Sequence, residues 1–140
     1  MNAVVIYESL TGHTRRAAQL IASGLGEAGV TASVCSVTQV DYQALSVADV
    51  VIVGSWTDGV FVVGQRPGRS HRLRALPVMD RKPCVVYCTY ALNPGHTLAK
   101  LTRIMEERGA QVLGGMAIRR NDLEGGAREF VERLLAAVSV

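Results

Sequence analysis

Apolar residues along the chain fall into two kinds of segment that alternate. Short runs without polar interruption, Val4-Val5-Ile6-Tyr7, Val50-Val51-Ile52-Val53-Gly54 and Pro83-Cys84-Val85-Val86-Tyr87-Cys88, predict strands. The second and third have the pattern of central strands covered on both faces. Between them, apolar residues recur at helical spacing. Ala17, Leu20, Ile21, Gly24, Leu25 and Ala28 predict a first long helix stopped by Gly29; Leu98, Leu101, Ile104 and Met105 predict a later one stopped by Gly109. Ala32 to Val37 reads as a second strand nearer a sheet edge, because polar residues interrupt it. Gln111 to Ile118 supplies a fifth strand, with Gly114-Gly115 marking a bulge or a close approach. A last helix starts around Glu124 and carries Phe130, Val131, Leu134, Leu135 and Val138 on one side. Short helices are expected within 38–48 and 69–76, and residues 55–68 read as a long glycine-bearing, aromatic loop. Repeated strand-helix units predict an α/β fold with a parallel sheet and helices on both faces, since each parallel crossover needs a helix.

At 140 residues, one domain spanning 1–140 is expected. With 49% hydrophobic residues and a mean hydropathy of +0.21, a chain this long can bury a full core without a disulfide or a metal. The three cysteines, Cys35, Cys84 and Cys88, cannot all pair with one another. They read as buried thiols of a reducing compartment, with a modest case for a redox pair at Cys84 and Cys88. Scattered histidines give no metal-ligand spacing. No basic leader precedes an apolar stretch at the amino terminus, and no run approaches the roughly 20 residues that cross a bilayer, so a cytoplasmic protein without membrane insertion is expected. The net charge of +3 favours an anionic ligand or partner but is too small to imply nucleic acid. The basic residues concentrate in 66–82, where Arg66, Arg69, Arg72, Arg74, Arg81 and Lys82 face only Asp80.

In a parallel sheet of this kind, ligands gather beyond the carboxyl ends of the strands. Loops 8–14, 55–68 and 89–95 point there. The first contains Ser9-Leu10-Thr11-Gly12-His13-Thr14: three hydroxyls, a glycine and the free amides of a starting helix can surround a phosphate without an obligatory lysine. Ordinary N-capping by Thr11 or Thr14 explains the same residues, and the segment alone leaves both readings open. It is neither the GxxxxGK[ST] nor the GxGxxG loop. Arg15 and Arg16 follow in the first helical turn, where cations are mildly unfavourable unless an anion is bound nearby.

Ser-x-Thr-Gly-x-Thr between a first strand and a first helix resembles the phosphate-binding fingerprint of the flavodoxins. The resemblance extends over nearly the whole chain, through the five-strand alternation and the aromatic loops after the third and fourth strands. It implies a three-layer sandwich with a five-stranded parallel sheet of order 2-1-3-4-5, and FMN as cofactor. Ser9, Leu10, Thr11, Gly12, His13 and Thr14 then inherit the phosphate. In the second loop, Ser55, Trp56, Thr57, Asp58 and Gly59 inherit the flavin ring, with the sole tryptophan placed to stack on it and a peptide near Asp58-Gly59 facing its edge. Tyr90 is the candidate for the opposite face, and main-chain groups of Thr89, Tyr90 and Ala91 for the pyrimidine edge. Tyr87 lies within an apolar run and reads as core.

The resemblance also implies a role: an FMN-dependent one-electron carrier working between a reductase and an acceptor protein, with the flavin rather than a side chain doing the redox chemistry. The chain departs from the family in charge. Flavodoxins that carry electrons are usually strongly acidic, whereas this chain is weakly basic, which predicts an acidic docking surface on its partner, steered by Arg66, Arg69, Arg72 and Arg74. Val60-Phe61-Val62-Val63 reads either as an apolar contact surface or as packing within its loop. No extra stretch interrupts the fifth strand, so the chain resembles the short-chain form. An FMN-dependent NAD(P)H:quinone reductase and a non-catalytic interaction domain of the same fold are the alternatives.

Overall fold

The computed structural model describes residues 1–59 and 64–138. Five parallel strands, β1 (Asn2–Tyr7), β2 (Thr31–Ser36), β3 (Val50–Asp58), β5 (Pro83–Tyr90) and β6 (Gln111–Arg119), form a sheet of spatial order β2-β1-β3-β5-β6. A two-residue strand, β4 (Arg66–Pro67), pairs antiparallel with β3. Counting only the parallel strands, this is the 2-1-3-4-5 order implied by the resemblance.

Side chains leave a strand alternately to its two faces, and each face here is filled by different helices. Val5, Ile52, Val85 and Tyr87 pack with α1 (His13–Glu27) and α5 (Leu123–Val138) through Ala17, Ala18, Ile21, Leu25, Phe130 and Leu134. Val4, Ile6, Val51, Val53, Cys84 and Val86 pack on the other face. There they meet Leu45 of α2 (Tyr42–Val47), Leu73 of α3 (Ser70–Arg74) and Leu101, Ile104 and Met105 of α4 (Thr97–Glu107). Burial on both faces explains why β1, β3 and β5 are continuous apolar runs. The layers are therefore α1 and α5, the sheet, then α2, α3 and α4.

The structure extends two strands beyond the apolar runs. β3 continues through Ser55 and Trp56 alongside Cys88 and Thr89 of β5, and then through Thr57 and Asp58, which pair with Pro67 and Arg66, so the expected 55–68 loop begins and closes in paired strand. β5 likewise continues through Thr89 and Tyr90 alongside Ile118 and Arg119. The expected irregularity in β6 is a register shift opposite Cys84 and Val85, with Leu113 as the extra residue before Gly114-Gly115. Val60-Phe61-Val62-Val63 lies outside the described residues. No helix among the described residues is long and apolar enough to cross a membrane.

Cys84 and Cys88 are both buried in β5. Four residues of strand separate their Cα atoms by about 13 Å, well beyond disulfide reach. Burial pushes the Cys84 thiol up to about 12 and the Cys88 thiol up to about 11, with Thr57 partly offsetting the shift at Cys88. They are structural thiols and not a redox pair. Their contribution to stability is complete below an unfolded-state pKa of 9.0 and is lost as pH rises toward 11 to 12. A thiol reagent at pH 8 is expected to modify half-buried Cys35 first and to reach Cys84 and Cys88 only at the rate of unfolding. Fast modification of all three in the folded protein contradicts this.

Candidate functional site

β1 ends at Tyr7, and the chain turns through Glu8 to Gly12 before entering α1. Gly12 occupies the N-cap position at φ 99°, a left-handed conformation that glycine adopts without cost, and a Cβ there would meet nothing within 4 Å. No side chain caps the helix and its first turn holds no acid. The N-capping explanation for Thr11 and Thr14 therefore does not apply. The Thr11 hydroxyl instead shares a hydrogen bond with His13 Nδ1 at 2.8 Å, and Ser9 Oγ accepts from the Gly12 amide at 3.1 Å. Thr14 is buried, its Oγ1 2.9 Å from Thr89 Oγ1. The result is an open, hydroxyl-lined cradle whose helical amides are not engaged by any side-chain cap. Exposed Leu10 rims it, and Arg15 and Arg16 stand exposed just beyond.

A fully buried tyrosine holds this helix start in place. Tyr87 of β5 sits in register with Gly54 of β3, and its hydroxyl donates to the Thr14 carbonyl at 2.8 Å. Its ring crosses the space over Gly54, where a Cβ would lie 2.0 Å from Tyr87 Cζ. Phe130 of α5 meets the same ring edge-on, with centroids 5.8 Å apart. Burial drives the Tyr87 phenol far above its usual pKa, so it remains a donor.

The second loop is organised by Glu8, which is 1% exposed. Its Oε2 accepts from Trp56 Nε1 at 2.7 Å, and its Oε1 takes Arg72 at 2.7 Å and Arg69 at 3.6 Å. A carboxylate buried this deeply is tolerated only when it is paired and hydrogen-bonded. Removing one partner of such a pair costs about 3–5 kcal/mol. Gly68 completes the assembly: its amide donates to the Trp56 carbonyl at 2.8 Å, and a Cβ on it would lie 1.9 Å from Trp56 Cε2. Trp56 thus stands half-buried at the carboxyl end of β3 with its N–H occupied and Gly68 against its ring.

Around Trp56, Ser55 is buried and bonded to the Gly68 carbonyl at 3.3 Å. Thr57 is half-buried at the strand end, with its Oγ1 turned toward the Cys88 thiol. Asp58 accepts from the Gly59 amide at 2.9 Å and pairs with Arg66 at 3.3 Å. Gly59, at φ 102°, could not carry a Cβ, which would fall 2.8 Å from the Gly64 carbonyl oxygen.

The third loop closes the same end of the sheet. Thr89 is buried beneath Thr14, and Ala91 is exposed. Tyr90 is half-buried, with the Arg119 guanidinium 5.6 Å from its ring centroid and its carbonyl accepting from the Arg120 amide at 2.8 Å. Gly95 packs onto Gln65, so loops 55–68 and 89–95 touch.

Most of the 66–82 basic stretch proves to be internally engaged. Arg66 pairs with Asp58, Arg69 and Arg72 with Glu8, and Arg74 donates to Ser70 Oγ at 3.1 Å. Lys82 donates to the Ser46 and Ala48 carbonyls at the end of α2. Arg69 and Arg72 are tied to a buried carboxylate, whereas Arg66 and Arg74 remain exposed on the surface. Arg15, Arg16, Arg119 and Arg120, with Arg66 on Asp58, are exposed arginines flanking the site.

The structure therefore brings all three expected loops to one end of the sheet. Sequence reasoning misses Glu8, Gly54, Gly68 and Tyr87 as supports of the site. A lone acid directly after an apolar strand is the available signal for Glu8; the two glycines matter through side chains far away in sequence.

The family model for flavodoxin matches residues 5–72, from β1 through the Glu8 network. Among solved structures, a point mutant of flavodoxin from Pseudomonas aeruginosa superposes with a TM-score of 0.76 at 18% identity, covering 100% of both chains. The flavodoxin of Streptococcus pneumonia TIGR4 gives 0.72 at 23% identity, covering 99% of this chain and 100% of that one. Two-electron reduced Megasphaera elsdenii flavodoxin gives 0.72 at 19%, covering 99% of each. No curated protein matches this chain by sequence.

Proposed function

We propose that this chain is a member of the flavodoxin family, whose model matches its residues 5–72, and that it binds FMN and carries single electrons between a reductase and an acceptor protein. The observation that carries the reading is the uncapped start of α1 within a cradle of hydroxyls, at the end of the sheet where β3 and β5 finish. A phosphate is the group such a cradle suits: it needs several donors and gains from the helix dipole. In this reading Ser9 and Thr11 supply hydroxyls, the first-turn amides including that of Thr14 supply the remaining donors, and the buried Thr14 hydroxyl braces the helix start against Thr89. His13, held by Thr11, presents its ring beside them. The peptides of Thr57, Asp58, Gly59, Thr89, Tyr90 and Ala91 offer polar groups for the ring edge. Trp56 and Tyr90 bound the ring on its two sides.

Bound FMN supplies the electron chemistry, and the protein's task is to hold it and shape its surroundings. Arg15, Arg16, Arg119 and Arg120 give the rim a positive face, opposite in sign to the acidic rims that most flavodoxins present, and suit an acidic partner. The test is equilibrium titration of the apo protein with FMN, using riboflavin as the phosphate-free control. FMN is expected to bind at least about 100-fold more tightly, since charge-assisted hydrogen bonds contribute about 1.5–3 kcal/mol each. Electron transfer from the loaded protein to an acidic partner should slow as ionic strength rises. A folded protein that binds neither ligand overturns the carrier reading and leaves an interaction domain.

A further inference from the structure

We propose that Glu8 is a positioning residue that latches the phosphate loop to the ring-binding hairpin, so that Trp56 is held ready before any ligand arrives. The inference deepens the FMN-binding reading and rests on it for its consequence, though not for its geometry. Glu8 is the first residue after β1 and lies next to Ser9, the first hydroxyl of the cradle. Its carboxylate reaches 48 residues along the chain to Trp56 and 64 residues to Arg72. The two arginines bracket the start of α3, with Arg69 just before it and Arg72 inside it. One buried side chain therefore ties together the phosphate loop, the end of β3 and the return path of the hairpin.

The arrangement leaves the indole little freedom. Its N–H is committed to Glu8 at 2.7 Å, while the glycine at position 68 admits the ring so closely that no side chain fits there. Arg69 sits in a left-handed conformation at φ 47°, uncommon for a residue with a side chain, and in that setting its guanidinium points back to Glu8. With Oε1 receiving the arginines and Oε2 the indole, both carboxylate oxygens are used. A latch of this kind lowers the ordering cost of binding, because the ring-facing side chain is already fixed.

Because Trp56 is the only tryptophan, its fluorescence reports the latch in the apo protein without any ligand. Glu8→Leu, which leaves the indole and both arginines without their acceptor, is expected to shift indole emission to the red and raise its quenching by acrylamide. FMN and riboflavin affinities should both fall about tenfold or more, since the defect lies on the ring side. Glu8→Gln keeps an acceptor for the indole and should restore the emission spectrum of the parent. Arg74→Gln, outside the network, serves as the control and should change none of these. Should Glu8→Leu fail to fold, Arg72→Met on the intact Glu8 carries the test, with an intermediate red shift expected. Unchanged emission and quenching in a folded Glu8→Leu or Arg72→Met protein overturns the latch. Altered emission with no FMN binding by the parent protein upholds the latch and overturns the cofactor reading instead.

Discussion

Gly54→Ala is expected to destabilise the fold by about 3 kcal/mol, at the upper end of what overpacking a core usually costs, and to lower Tm by about 10 °C. The added Cβ would fall 2.0 Å from Cζ and 2.4 Å from the hydroxyl of Tyr87, a side chain with no free space to retreat into. Tyr87 must shift or β3 and β5 must part, and either movement strains the hydrogen bond from Tyr87 to the Thr14 carbonyl. The damage thus extends to the start of α1. Denaturant unfolding measures the loss, and a double-mutant cycle assigns its cause. Placed on a Tyr87→Leu background, Gly54→Ala should cost far less, because the ring it collides with is gone. Strictly additive costs would show that the clash is not the reason for the glycine.

The second large effect concerns ligand discrimination rather than folding. Ser9→Ala combined with Thr11→Val removes the two accessible cradle hydroxyls and should weaken FMN by about 100-fold or more, given about 1.5–3 kcal/mol for each hydrogen bond to a charged group. Riboflavin, lacking the phosphate, should bind within about threefold of its affinity for the parent. The difference between the two ligands is the informative quantity. An equal loss for both would place the effect in the shape of the loop, which Ser9 also supports through the Gly12 amide, and would count against phosphate contact. Neither hydroxyl is buried, so the double variant should retain most of its stability.

The parts of this molecule legible in the sequence are those whose physics is local. A continuous apolar run, a hydroxyl-rich turn and a helical stripe each lie within a few residues, which suffices for the strand order and for the phosphate loop. The choice between a capped helix and an anion cradle needs the backbone at Gly12, because Thr11 and Thr14 suit either role by residue type. The full extent of β3 is hidden because Thr57 and Asp58 owe their strand conformation to Pro67 and Arg66, not to burial. The sequence offers Trp56 as a ring to face a flavin, but holds no sign that its N–H serves a glutamate 48 residues earlier. The arginines of 66–82 show the same limit: composition counts them as one surface patch, whereas Arg69 and Arg72 turn out to be committed to the buried Glu8 while Arg66 and Arg74 stay exposed. Gly68 and Gly54 are silent in sequence, since what makes each necessary is a ring contributed from elsewhere.

The bulge in β6 bears on how the molecule behaves among its own kind. β6 is an edge strand of the parallel sheet, with Leu113, Gly114 and Gly115 exposed along it. A straight edge of nine residues would present an unbroken row of amides and carbonyls on which another copy could extend the sheet. The extra residue at Leu113 throws that row out of step. Gly115 cannot be replaced to smooth it, because a Cβ there would fall 2.7 Å from Val86 Cγ2. Crowded solutions of this protein therefore meet a broken template at this margin, and aggregation by edge-to-edge strand addition is discouraged by the same irregularity that seats β6 against its neighbour.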